Sequence, residues 1–370
     1  MTIHAKKFSA SSADRWVNCA GSVNACEGIK QTSSAYAEEG TKIHEIAAQT
    51  LNSNFLDRLA YNGELSEEDN AYLMQYYSYI TTIEDKCDKS FIKVEQKVNY
   101  SNLAPTDYDA SNDFFGTADC IIYDEDNKTL HVVDLKWGKG VKVEVENNYQ
   151  LICYALGAIN EYSWLYNIEQ VVLHIVQPRM NNFCYVTLAL QDLRDHLFIL
   201  KGAVQRALQP DAVRTPHDKA CKFCPAKNIC PALLDLTINV SAFSKLELND
   251  DDYKYILDNS DLVINFIKSV EEKIHNKLLV GGNLDGYKLV QGRSTRKWID
   301  GAEERLKNSL GEAAYNKKLL GVTEADKIIA KELMEELTQK ETGKPSLVKQ
   351  EDKRKELKIN NLENYEKGEI

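Results

Sequence analysis

The sequence predicts a mixed α/β (α+β) fold, in which a β-sheet core is flanked by helices. Two observations predict this class. Residues 115–124 and 129–137 are rich in β-branched and aromatic types, and Asp126-Asn127 between them suits a tight turn, so they predict a β-hairpin. Residues 146–160 then place apolar side chains at helical spacing, which predicts a helix directly after the hairpin.

The remaining elements follow from the same patterns. An N-terminal helical section is predicted up to about residue 90, with Ser66 and Asp69 as a capping box for one of its helices. The other predicted elements are a strand near 91–100, strands at 170–177 and 183–188, and helices near 192–208, 250–258 and 262–279.

Four segments are predicted along the chain. Residues 1–90 form the N-terminal helical section, 91–235 the mixed core closed by a cysteine-rich loop, and 236–338 a helical extension with a small strand-like piece. Thr323 and Asp326 are predicted to cap the last long helix of that extension. Residues 339–370 are charged and lack apolar periodicity, so we expect a mobile tail.

The predicted hairpin brings two carboxylates together. If Asp126 and Asn127 form the turn, the register places Asp119 directly opposite Asp134, with Cβ atoms about 5 Å apart. Lys136 lies two residues beyond Asp134 and therefore points to the same face. Two close carboxylates repel each other unless a cation lies between them, and their oxygen ligands suit Mg²⁺ or Mn²⁺. An ordinary solvated strand face is the alternative.

The predicted helix after the hairpin carries Gln150 and Tyr154 four residues apart, hence on one face. An amide and a hydroxyl on one face could hold a phosphate or the attacking water, although such a pair is also typical of an exposed helical face.

Three of the nine cysteines lie within ten residues: Cys221, Cys224 and Cys230. This spacing indicates a soft metal ion or a cluster in a reducing compartment, and such sites usually take four ligands. Cys19 is the preferred fourth ligand and Cys26 its rival. Cys120 and Cys153 lie in apolar patterns and are expected to be buried, whereas Cys87 and Cys184 have no assigned role.

Taken together, Asp119, Asp134-Leu-Lys136 and Gln150-x-x-x-Tyr154 resemble the core of the PD-(D/E)xK nucleases, in the RecB-like branch. The resemblance implies a restriction-endonuclease-like fold and cleavage of phosphodiester bonds. It also implies that both acids bind Mg²⁺ or Mn²⁺, that Lys136 assists catalysis, and that His44, in Gly40-Thr-Lys-Ile-His44, is a further metal ligand. The proline of the family motif is absent, and Gly116-Thr-Ala-Asp119 fits the form with glycine.

The cysteines resemble those of AddB-type and CRISPR-adaptation-type nuclease domains, in which one cysteine before the core and three after it hold a [4Fe–4S] cluster. The resemblance therefore implies an iron–sulfur cluster on Cys19, Cys221, Cys224 and Cys230, with zinc as the alternative. The layout from Ser9 to Trp298 also resembles a family of such nucleases from phages and prophages. That resemblance implies an exonuclease in phage replication or recombination, working with phage proteins.

The net charge of −11 opposes binding to DNA, so any DNA contact is expected on a local basic patch. One candidate is the glycine-bearing loop with Lys139 and Lys142, expected to be flexible. The other contains Lys288, Arg293, Arg296, Lys297 and Trp298, where the ring could stack on unpaired bases; a solvated hairpin with a packed tryptophan is the alternative there.

The polar start of the sequence and the lack of a long apolar run predict a cytoplasmic protein, in the bacterial host if it is phage-encoded. Two functions remain open. The first is a metal-dependent DNA nuclease, and the second is a DNA-binding or scaffold protein that keeps the cluster or zinc without useful catalysis.

Overall fold

The computed structural model describes residues 5–29, 35–53, 63–87, 90–241 and 248–290. The chain divides into two compact units, Met1–Leu289 and Val290–Ile370, and all the described residues except Val290 belong to the first. The predicted Thr323–Asp326 cap and the charged tail from residue 339 lie outside the described residues. The finer boundaries at residues 90, 235 and 338 stay predictions.

The described residues form a five-stranded mixed sheet with the order β1-β2-β3-β4-β5. β3 and β4 are parallel and the other neighbouring strands are antiparallel. The strands are β1 (Ser90–Asn99), β2 (Phe115–Asp124), β3 (Thr129–Leu135), β4 (Gln170–Gln177) and β5 (Asn182–Ala189). Every strand predicted between residues 91 and 188 is therefore present, with ends that differ by no more than two residues.

Helices flank this sheet, as predicted. They are α1 (Ala13–Asn18), α2 (Ser22–Ala25), α3 (Ala35–Leu51), α4 (Glu67–Glu84), α5 (Tyr149–Tyr162), α6 (Leu190–Ala207), α7 (Asp218–Lys222), α8 (Pro231–Ser241) and α9 (Asp250–Leu279). The capping prediction for α4 is confirmed, since Ser66 Oγ accepts a hydrogen bond of 3.1 Å from Asp69 N. Within the described part of the chain, every helix is too short or too polar to cross a bilayer.

The two faces of the sheet carry separate hydrophobic cores. A parallel pair of strands needs a crossover connection, and α5 supplies it between β3 and β4. It packs on one face through buried residues such as Leu151 and Ala155. α3 and α4 cover the other face through Ile43, Ile46 and Tyr76. The polar ends of β2 and β3 therefore lie between two apolar layers.

The register of the β2–β3 hairpin is the predicted one, with Cys120 opposite Val133 and Asp124 opposite Thr129. The ladder ends at the Cys120–Val133 pair. Asp119 therefore lies just beyond the last pair, and its Oδ2 accepts a hydrogen bond of 2.7 Å from the backbone N–H of Leu135. This opening at the end of the hairpin leaves room for polar chemistry between the two strands.

Two histidines and a tyrosine fasten α4 to the sheet. His174 Nδ1 lies 2.9 Å from Tyr79 Oη, and His174 Nε2 lies 3.0 Å from His131 Nδ1. Burial lowers the pKa of His131 to about 4 and that of His174 to about 3, so both rings are neutral at physiological pH. The two histidines thus act as polar packing groups rather than as charges.

The prediction of two helices at 250–258 and 262–279 is wrong, because a single helix, α9, spans the region. Asn249 caps its first turn by accepting a hydrogen bond of 3.0 Å from Asp252 N. The presumed break at Asn259-Ser260 contains neither glycine nor proline, and Leu262 and Phe266 just beyond it pack against Leu233 of α8. Residues 284–290 contain no strand; the rest of the predicted strand-like piece lies outside the described residues.

Candidate functional site

The open end of the hairpin borders a cavity of about 830 Å³ between α3, the hairpin and α5. The residues predicted for the metal site and for its support all line this cavity: His44, Asp119, Asp134, Lys136, Gln150 and Tyr154. Sequence positions spread over more than a hundred residues are therefore brought to one place.

Asp119 forms a partly buried pair with His44 of α3. His44 Nδ1 lies 3.0 Å from Asp119 Oδ1, and the other carboxylate oxygen is held by Leu135 N. The Asp119 carboxylate raises the pKa of His44 to about 9. Burial opposes ionisation of Asp119, but His44, Lys136 and the Leu135 N–H together hold the pKa of Asp119 below its ordinary value.

Asp134 and Lys136 form a second pair, which lines the same cavity. Lys136 Nζ lies 2.8 Å from Asp134 Oδ2, and Asp134 is only 2% exposed. Burial raises the pKa of Asp134, whereas the Asp134 carboxylate raises the pKa of Lys136 against the opposing effect of burial. The prediction that Lys136 and Asp134 point to the same face is confirmed.

Gln150 of α5 uses both ends of its amide to hold this pair. Its Nε2 donates to Asp134 Oδ1 and to Tyr154 Oη, both at 3.0 Å, and its Oε1 accepts from Lys136 Nζ at 3.0 Å. The predicted common face of Gln150 and Tyr154 is therefore confirmed. In this structure the pair contacts the site residues themselves.

Gly116 explains how α5 comes so close to β2. A Cβ atom added to Gly116 would lie 2.6 Å from Tyr154 Cε1, which is too short for any side chain. The glycine of the Gly116-Thr-Ala-Asp119 segment thus admits the Tyr154 ring. The Gly116–Asp119 segment and the Gln150–Tyr154 pair, which are separate motifs in the sequence, therefore pack directly against each other.

Glu95 of β1 is a site residue that the sequence reasoning missed. Its carboxylate, His44 and Asp119 each offer a ligand atom, and these atoms lie within 4.8 Å of one another. Glu95 is exposed as a whole, but desolvation of its carboxylate in the cavity and, after that, the Asp119 carboxylate raise the pKa of Glu95 to about 7. An acidic residue in an otherwise strand-like segment was a sequence signal for Glu95. The sequence does not show which residue of β2 lies opposite it, because no tight turn joins β1 to β2.

These donors suit a divalent cation. Ligand atoms of one octahedral Mg²⁺ lie no more than about 4 Å apart, and one donor atom each of Glu95, His44 and Asp119 lie within 4.8 Å of one another. Asp134, the other predicted ligand, lines the same cavity, and its Oδ2 is ion-paired with Lys136 Nζ. Because a carboxylate oxygen has two lone pairs, this ion pair leaves one for a cation beside Lys136.

A second group of residues lies away from this cavity. Cys19, Cys221, Cys224 and Cys230, the four predicted cluster ligands, line one small cavity of about 20 Å³. Thr215 N donates to Cys19 Sγ at 3.3 Å, and His217 N donates to Cys221 Sγ at 3.4 Å. Four converging thiols with N–H groups directed at the sulfur atoms fit a soft metal ion or a cluster.

Cys26, the rival ligand, also approaches this group, since its Sγ lies 3.8 Å from Cys224 Sγ. It does not line the small cavity that the other four share. All nine cysteines are free thiols. Cys120 and Cys153 are fully buried, as predicted.

The loop that carries Lys139 and Lys142 is hydrogen-bonded to the end of β4, and its expected flexibility stays a prediction. Gln177 Nε2 donates to Gly138 O at 2.8 Å and to Val141 O at 2.9 Å. Gln177 Oε1 also accepts from Val143 N at 3.2 Å. Both lysine side chains are exposed on this hydrogen-bonded backbone.

Of the second predicted DNA contact, Lys288 is exposed, and Arg293, Arg296, Lys297 and Trp298 lie outside the described residues.

The fold and the site define a mixed α/β protein with a carboxylate–histidine–lysine site at the end of a hairpin and a separate group of thiols. The chain belongs to the family described as protein of unknown function (DUF2800), whose profile matches residues 4–355.

Proposed function

We propose that this protein is a Mg²⁺- or Mn²⁺-dependent deoxyribonuclease that acts as an exonuclease in phage replication or recombination. One observation carries the proposal: Asp134, Lys136 and Gln150 form a connected set of contacts at the wall of an open cavity, and the converging donors of Asp119, His44 and Glu95 line the same cavity. Carboxylates, an imidazole and a lysine in this arrangement are the groups that metal-dependent phosphodiester hydrolysis requires.

The metal ligands in this proposal are Asp119, Asp134, His44 and Glu95. A divalent cation bound there would polarise the phosphate and lower the pKa of a bound water. Lys136 stabilises negative charge that develops on the phosphate, because its ammonium lies beside Asp134 and faces the cavity. Gln150 keeps Lys136 and Asp134 in position, and Tyr154 fixes Gln150 in turn.

The thiols of Cys19, Cys221, Cys224 and Cys230 hold a [4Fe–4S] cluster in this proposal, with zinc as the alternative. The role is structural, because Cys19 precedes the sheet and the other three follow it. A bound cluster therefore closes a long loop of chain and stabilises the unit.

DNA is the substrate in this proposal, and the exposed Lys139 and Lys142 contact its backbone. The hydrogen bonds from Gln177 support this role, since lysines on a restrained backbone lose less conformational entropy on binding than lysines on a mobile one. The net charge of −11 requires such contacts to be local.

The test is cleavage of labelled single- and double-stranded DNA with Mg²⁺ or Mn²⁺. Asp119→Asn, Asp134→Asn and Lys136→Ala should each reduce the rate about 10²-fold or more while the protein stays folded. Asp126→Asn, in the turn of the same hairpin, is the matched control and should cleave like the wild type. Wild-type turnover in any of the three site variants contradicts the assignment. A wild-type protein that binds DNA but never cleaves it favours the scaffold alternative.

A further inference from the structure

The cysteine loop presents an exposed aromatic ring that the proposed active site does not use. Phe223 lies between Cys221 and Cys224, whose thiols face the small cavity, and the Phe223 side chain is 80% exposed. Leaving a phenylalanine in water forgoes about 1.5–3 kcal/mol of burial free energy. Ile229, in the same segment between Cys221 and Cys230, is also exposed. The segment therefore presents apolar side chains to solvent and thiols to the small cavity.

Two lysines accompany the ring. Lys222 Nζ lies 5.5 Å from the centroid of the Phe223 ring, and Lys227 Nζ donates to the backbone oxygen of Lys222 at 3.4 Å. Neither lysine is within ion-pair distance of a carboxylate among the described residues. Two uncompensated positive charges beside an exposed ring form a local exception in a chain with a net charge of −11.

We propose that Lys222, Phe223 and Lys227 form a binding surface for single-stranded nucleic acid. This inference rests on the proposed nuclease function and names the strand type that the protein holds. A base stacks on the Phe223 ring, and the two lysines bind the flanking phosphates. Stacking of this kind requires an unpaired base with an open face, which a duplex does not offer within its stack.

The chain itself connects this surface to the active-site cavity. Ser9 and Ser11 line the cavity, and α1 follows them and leads to Cys19, which lies in the cysteine group. α1 has six residues, so it spans about 9 Å. The cysteine group therefore follows the cavity-lining serines after one short helix of the chain.

The experiment measures the affinity of full-length protein for a fluorescent 15-nucleotide oligo-dT and for a blunt duplex of equal length. Ca²⁺ replaces Mg²⁺, so that binding is read without fast cleavage. Phe223→Ala should weaken oligo-dT binding about tenfold and change duplex binding much less. Phe223→Trp should restore the affinity and Phe223→Leu should not, because only an aromatic ring stacks. Lys222→Ala and Lys227→Ala should each reduce the salt dependence of oligo-dT binding by about 0.7 log units per log unit of salt.

Trp164→Ala is the matched control, because Trp164 is another exposed aromatic side chain, 76% exposed, outside the cysteine loop. It should bind oligo-dT like the wild type. Iron or zinc content and the unfolding midpoint of each variant report whether the cysteine loop is intact.

The inference is overturned if Phe223→Ala, with its metal retained, binds oligo-dT like the wild type. It is also overturned if Phe223→Leu binds oligo-dT as well as Phe223→Trp does, or if Phe223→Ala loses as much affinity for the duplex as for oligo-dT. A wild-type protein that does not bind oligo-dT overturns it as well. Failure of the proposed function gives a different result, namely absence of cleavage in Mg²⁺ and Mn²⁺ while the Phe223-dependent binding in Ca²⁺ persists.

Discussion

Glu95 and Asp119 face each other across β1 and β2, because the register that pairs Val94 with Cys120 and Gln96 with Ala118 places these two acids opposite. Glu95 has a φ of 50°, in the left-handed region that non-glycine residues rarely adopt. Such conformations cost about 1–3 kcal/mol and persist where the surrounding structure imposes them, often at functional sites. A strained acid opposite a second, partly buried acid is expected where a cation balances both charges.

Glu95→Gln should therefore weaken Mn²⁺ binding about tenfold, because it removes one charged ligand of the proposed site and keeps its size. Isothermal titration calorimetry on the two proteins measures the difference. Glu45→Gln is the matched control, since Glu45 lines the same cavity but lies outside the group of converging donors. Equal Mn²⁺ affinity of the wild type and Glu95→Gln would remove Glu95 from the ligand set.

Cys19 and Cys26 compete for the fourth position of the cysteine site, and the structure favours Cys19 because it shares the small cavity with the other three thiols. Protein purified without oxygen should contain iron and sulfide and be brown. Cys19→Ser should lose the cluster and unfold at a lower temperature, since the closed loop is released. Cys26→Ser should keep it.

Cys87→Ser serves as the control for this comparison, because Cys87 Sγ hydrogen-bonds to Ile83 O in α4 instead of contacting the thiol group. Stoichiometric zinc in colourless protein would replace the cluster with a zinc site. If Cys19→Ser kept a full cluster and Cys26→Ser lost it, Cys26 rather than Cys19 would be the fourth ligand.

Lys139 and Lys142 should each contribute one phosphate contact if DNA crosses the loop that Gln177 holds. Lys139→Ala and Lys142→Ala should each lower the slope of log affinity against log salt by about 0.9 on duplex or about 0.7 on single strands. Fluorescence anisotropy in Ca²⁺ over a range of salt concentrations provides the slopes. Lys254→Ala, in α9, is a lysine of another surface and should leave the slope unchanged. Unchanged slopes in both loop variants would show that DNA approaches from a different side.

The buried histidines His131 and His174 predict loss of stability in mild acid. Each has a folded-state pKa well below its ordinary value of 6.5, at about 4 and about 3. As the pH falls below about 6.5, the unfolded chain binds protons that the folded protein does not. The free energy of unfolding should therefore decrease by up to about 1.4 kcal/mol per pH unit for each histidine.

Urea unfolding between pH 6.5 and 5 tests this dependence. His174→Gln should reduce the slope of the free energy of unfolding against pH by the equivalent of about one proton, about 1.4 kcal/mol per pH unit. This change in slope is expected whatever the effect of the substitution on stability at pH 7. His275→Gln, in α9, is the control and should keep the wild-type slope. An equally steep slope in His174→Gln would mean that other groups cause the acid sensitivity.

The sequence by itself determined the parts of this protein that depend on neighbouring residues. A two-residue turn fixed the register of β2 and β3, so the proximity of Asp119, Asp134 and Lys136 could be predicted without coordinates. The four-residue spacing of Gln150 and Tyr154 fixed their common face, and Ser66 marked the start of α4. In each case the interaction is local, and a short segment restricts its own geometry.

Tertiary structure decided the rest, because those contacts join segments whose separation the local pattern does not restrict. Residues 100–114 connect β1 to β2 without a tight turn, so only the folded sheet places Glu95 opposite Asp119. The glycines of the loop with Lys139 and Lys142 predict flexibility, and only the structure shows that Gln177, at the end of β4, hydrogen-bonds to its backbone. The continuity of α9 likewise follows from the packing of Leu262 and Phe266 on α8. A local stretch of the sequence does not show this contact, because the two helices are joined by a connecting segment.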